Sequence, residues 1–175
     1  MTIDPVAQAA DYQQMLLALL GKDDPAEVQR ATPALWRALV NEAGAYLRAK
    51  PAPNEWSVLE LLGHAADAEI VVAGRLRWIL SQDRPPIVPY DQDLWVDALH
   101  AEADPEALLA DLETLKRSNA SLWERTTPAQ RARVGVHEER GPESFELTYR
   151  MLAGHDRFHL DQARRTLEQV RASAS

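Results

Sequence analysis

The chain has 175 residues, 46% of them hydrophobic, with a mean hydropathy of -0.36 and a net charge of -8. This suits one globular domain, expected to span 1–175 with about 5–170 ordered, and excludes a disordered chain. No apolar run approaches the roughly 18–20 residues of a membrane span. Lys and Arg are scattered without a basic stripe, so neither nucleic acid nor membrane is an expected partner. The absence of cysteine excludes disulfides, thiolate ligands and a cysteine nucleophile. The N-terminal MTIDPVAQAADYQQ has neither the basic region nor the apolar core of a signal peptide, and a cytoplasmic location is expected.

Strand signals are nearly absent, and Ala, Leu, Glu, Arg and Gln favour helix. The first predicted helix runs from about Pro5 to Leu20, with Asp4 as N-cap and Gly21 at its end. The second covers about Pro25–Ala49, with a possible break at Pro33 and a stop at Pro51 and Pro53. The third has the strongest start signal. Ser57 and Glu60 form a capping box, and Trp56 and Leu61 fit a hydrophobic staple. It should run to about Ser81. Arg84–Leu94 is a proline-rich connection. A fourth helix opens at Pro105, with Asp104 as N-cap, and runs to about Arg125. Thr127-Pro128 starts a short turn, Arg131–Pro142 is a loop, and the last helix runs from about Ser144 to Val170. The fold class read from this is all-α, four main helices with short accessory helices.

The candidate chemistry lies in three histidines. His155 and His159 are one turn apart on one helical face, alongside Met151, Leu152, Gln162 and Ala163. The opposite side carries Asp156, Arg157, Asp161 and Arg165. His64 shares its face with Leu61, Ala68, Val71 and Val72. All three imidazoles should therefore point into the bundle, where they can hold one divalent ion with open positions for chemistry. The alternatives are core histidines that bind nothing, or a non-catalytic metal-binding module. Asp67 and Gln162 stand three residues from His64 and His159 and can orient an imidazole or bind water at an open position. His137, in the loop GVHEERG, is a candidate substrate contact. Tyr90 and Trp95 either line a pocket or pack in the core, and core packing is favoured, as for the other tryptophans. His100 should be solvated at a loop edge.

The segments NEWSVLELLGHAADAE (54–69), PYDQD (89–93) and VHEERGPESFELTYRMLAGHDRFHLDQ (136–162) resemble the DinB/YfiT-like family of metalloenzymes. The resemblance implies an up-down-down-up four-helix bundle and frequent homodimers. It implies a divalent metal on His64, His155 and His159, nickel or zinc before iron or manganese. It also implies a small-molecule substrate, with low-molecular-weight thiols as cosubstrates in the family's transferases and isomerases. Thiol-dependent S-transfer and metal-dependent hydrolysis are the two activities expected from it. A stress-associated binding module is the non-enzymatic alternative. The ergothioneine-forming sulfoxide synthases look similar but have H-x3-H-x-E. Here Asp161 takes the last position, and those enzymes use a second large domain, so an iron oxygenase role is not expected.

Overall fold

The computed structural model describes residues 9–174. The expected N-cap at Asp4 and helix start at Pro5 lie outside the described residues. Among the described residues there are seven α-helices: α1 (Ala9–Leu20), α2 (Pro25–Ala43), α3 (Val58–Ser81), α4 (Gln92–Leu99), α5 (Pro105–Glu124), α6 (Pro128–Arg131) and α7 (Phe145–Ser173).

The helix starts follow the predicted chemistry. The Ser57 hydroxyl accepts from the Glu60 N–H at 3.2 Å, and the Glu60 carboxylate accepts from the Ser57 N–H at 2.7 Å. Asp104 accepts from the Glu106 N–H, with Pro105 in the first turn. Pro33 does not break α2. That helix ends earlier than expected, at Ala43, because Gly44 takes a φ of 51° that other residues disfavour. A 3-10 turn follows at Gly44–Tyr46. α4 was not expected. Asp91 caps it by accepting from the N–H groups of Asp93 and Leu94.

Cross-contacts give the helix directions. Arg37 pairs with Glu106 and Arg30 with Glu124, so α2 and α5 are antiparallel. Glu69 meets Lys116 and Arg77 meets Asn119, while Leu59 and Leu62 share a core with Leu109 and Leu112. α3 and α5 therefore run parallel. α7 runs against α3, because its early Phe145 and Tyr149 pack with Leu76 and Ile79 and its later Leu160 and Leu167 with Leu59 and Leu62. Gln29 reaches Asp156 and Glu42 reaches Arg171, so α2 and α7 are parallel. The four long helices are up-down-down-up, and α1 lies beside the first half of α7.

The two segments expected as loops hold a small sheet, a correction to the strand-free reading. β1 (Pro86–Ile87) pairs in parallel with β2 (Val134–His137), which pairs antiparallel with β3 (Gly141–Ser144). These strands are two to four residues long. They are too short to carry a period-2 pattern, and long-range pairing rather than propensity makes them.

Candidate metal centre

His64 comes from the second turn of α3, and His155 and His159 from the middle of α7. The antiparallel contact of these helices brings the three rings together, with centroids 4.2–5.1 Å apart. One nitrogen of each lies within 4.8 Å of the others. His64 Nε2 and His155 Nε2 are 3.2 Å apart. Two nitrogens bound at 2.0–2.1 Å to one ion lie about 3.0 Å apart in adjacent octahedral positions and about 3.4 Å apart in a tetrahedron. The spacing of this pair lies between these, so the pair fits one transition-metal ion, with a His159 nitrogen within 4.8 Å of both. His159 donates from Nδ1 to Gln162 Oε1 at 2.9 Å, which leaves Nε2 with a free lone pair. Trp56 packs on His64 with ring centroids 5.0 Å apart.

Burial sets the charge of the rings. It pushes His64 and His155 well below the ordinary histidine range, helped by the neighbouring imidazoles, and lowers His159 to about 4. Neutral imidazoles are the ligand form, so protons do not compete for the site near neutral pH.

A cavity of about 680 Å³ opens beside His64 and His155. α1 supplies Tyr12 and Leu16 to its wall, α3 supplies Val72 and Arg75, and the connections supply Tyr90 and His137. Tyr90 thus lines the cavity rather than the core, and its ring meets Trp95 at 4.8 Å. Burial raises both tyrosine hydroxyls, Tyr12 to about 12, so both stay protonated and can donate.

Other placements depart from the sequence reading. Asp67 does not bond His64. Its Oδ2 lies 2.6 Å from His100 Nε2, and both side chains are buried. His100 is therefore not solvated. Its ring lies on Gly63, where an added Cβ would stand 2.3 Å from it, and the bare glycine makes the space. Asp156 does not face solvent. Its carboxylate takes Lys116 Nζ at 2.7 Å and Gln29 Nε2 at 2.7 Å, and Lys116 also meets Glu69 at 2.6 Å. Trp78 is 48% exposed rather than core. Arg75 was missed. The signal was its position three turns after His64 on the same face of α3.

The comparisons agree with the fold. The solved structure of YfiT from Bacillus subtilis, titled a probable metal-dependent hydrolase with an unusual four-helix bundle topology, superposes with a TM-score of 0.75. It covers 99% of this chain and 91% of that one at 22% identity. A protein of Oceanobacillus iheyensis named "Putative metal-dependent hydrolase" is 28% identical over 105 residues, 60% of this chain and 61% of its own length. One of the same name from Geobacillus thermodenitrificans is 34% identical over 80 residues, 45% of each chain. The chain spans about three fifths of the length of the first of these relatives. A profile described as the DinB superfamily matches residues 10–163, and the chain belongs to that superfamily.

Proposed function

We propose that this protein is a metal-dependent hydrolase of a small molecule, with His64, His155 and His159 as the ligands of one divalent ion. The carrying observation is the convergence of three neutral imidazoles, two buried and one half-buried, on one point at the edge of a cavity. Imidazole suits zinc and nickel best, with iron and manganese as further candidates. Such an ion supplies Lewis acidity and lowers the pKa of water or a thiol at its open positions. The chain's own residues do the rest. Gln162 fixes the His159 tautomer. α1 and the residue 85–93 connection wall the reacting space from bulk water. The protonated hydroxyls of Tyr12 and Tyr90 donate hydrogen bonds to a substrate oxygen in that space. The curated relatives' names favour hydrolysis over S-transfer. The chain has no thiol of its own, so S-transfer would need a thiol cosubstrate.

Metal analysis of untagged protein should find about one divalent ion per chain, lost in the triple alanine variant. Turnover of an ester or amide panel, abolished in His155→Ala, supports the hydrolase. A sulfur-to-metal charge-transfer band on titrating the cobalt-substituted protein with a thiol, without hydrolysis, favours the transferase. Bound metal with neither response favours a non-catalytic binding module.

A further inference from the structure

The cavity wall holds a second set of polar groups that hydrolysis at the histidines does not use. Arg75 is only 8% exposed. Its Nη2 donates to the Val88 carbonyl at 2.9 Å, while its Nε–H has no protein partner. Among the described residues no carboxylate stands within ion-pair distance of it. His137 is 1% exposed. Its Nδ1 accepts from the Glu139 N–H at 3.2 Å, which places the proton of the neutral ring on Nε2, and that buried N–H is also unpartnered. The two groups are neighbours through the sheet. Ile87 stands opposite His137 in the β1–β2 ladder, and Val88, which holds Arg75, is the next residue.

A buried guanidinium without a counterion and a buried unpaired N–H are each costly. The charges nearby do not relieve the cost. Arg140 and Glu143 are spent on each other, Nε to Oε1 at 2.5 Å. Asp91, Asp93 and Glu139 are exposed at the mouth, and Asp91 caps α4. The inner wall therefore carries one uncompensated positive charge beside one neutral donor.

We propose that this is a carboxylate subsite: the small molecule held in the cavity carries a carboxylate, bound by the Arg75 guanidinium and the His137 imidazole N–H, with its reactive part toward the histidines. The assignment rests on the cavity being the substrate chamber of the hydrolase reading. A monoanion matches the single free positive charge. A phosphate dianion would leave excess negative charge next to buried Glu143.

The test is calorimetric titration of the full-length protein with phenylacetate, phenylacetamide and phenyl phosphate. Phenylacetate should bind at least tenfold more tightly than the amide. Arg75→Gln and His137→Phe should each reduce that preference tenfold or more, with the amide unaffected. His155→Ala, which weakens the metal site, should leave the preference in place. This separates the subsite from direct binding of the carboxylate to an ion, and loss of turnover with the preference intact would count against the hydrolase alone. If Arg75→Gln does not fold by circular dichroism, Arg75→Lys and His137→Gln decide. Equal binding of acid and amide, a preference abolished by His155→Ala but not by Arg75→Gln, tighter binding of phenyl phosphate, or no saturable binding of any of the three overturns the proposal.

Discussion

Gly154 and Leu16 meet backbone to backbone: a Cβ added at Gly154 would stand 2.0 Å from the Leu16 carbonyl oxygen. Gly154 precedes His155, and Leu16 lines the cavity, so this contact sets the α1 wall against the metal-bearing helix. Gly154→Ala should push α1 away. The overpacking cost of about 1–3 kcal/mol works against the gain of about 1 kcal/mol in helix propensity. Urea denaturation should therefore show a net loss. An unchanged or raised midpoint would mean that α1 is not docked there.

Lys116 is buried between Glu69 and Asp156 with Nζ 2.6–2.7 Å from their oxygens. Lys116→Met keeps most of the volume but strands two buried carboxylates. Removing one partner of a buried ion pair costs about 3–5 kcal/mol, and the same loss is expected here. A denaturation midpoint within error of the parent would show that the carboxyls take up protons at little expense.

Gln162→Leu removes the acceptor that holds His159 Nδ1–H. Zinc affinity, read by competition with a chromophoric chelator, should fall about 10–100-fold. His159→Ala should fall further. Equal affinity in Gln162→Leu and the parent would show that packing alone orients the ring.

The metal-free protein should lose stability on acidification. In the fold His159 and His137 titrate at about 4 instead of the ordinary 6.5, and His64 and His155 are lowered as well. Below about pH 6.5 the unfolded chain takes up protons that the folded chain refuses, so their stabilisation is full above that pH and declines toward about 4. For His159 the loss is about 2 kcal/mol by pH 5. Asp156 acts oppositely. Burial and the Glu69 charge raise its carboxyl to about 7, so it favours the fold at lower pH. Asp67, also raised by burial, acts the same way, and four histidines outweigh two carboxyls. Urea midpoints in chelator at pH 7.5 and 5 check this, and a higher midpoint at pH 5 would contradict it.

The parts legible in the sequence were those fixed by local chemistry. The Ser57–Glu60 capping box, the Asp104 cap and the turn-spaced His155 and His159 act within a few residues, and each stands where the spacing places it. His64 was legible because its face of α3 is apolar. The rest depends on partners far along the chain. Asp156 reads as a solvated helix residue until Lys116, forty positions earlier, is brought beside it. His100 reads as a loop residue until Gly63 offers it a surface and Asp67 a bond. The sheet joins segments separated by about fifty residues, which no local pattern encodes.

Because α3 and α5 point the same way, the chain must travel back along the bundle between them, about 36 Å for the 24 residues of α3. That return stretch delivers Pro89 and Tyr90 to the cavity while all three clustered imidazoles stay on two helices. The clustered imidazoles and the part of the cavity wall around Tyr90 are thus built from separable pieces of chain, although Arg75 shares α3 with His64. Length and sequence between residues 85 and 93 can drift without disturbing the nitrogen geometry. The architecture can be refitted to a new compound by exchanging a connection rather than rebuilding a core.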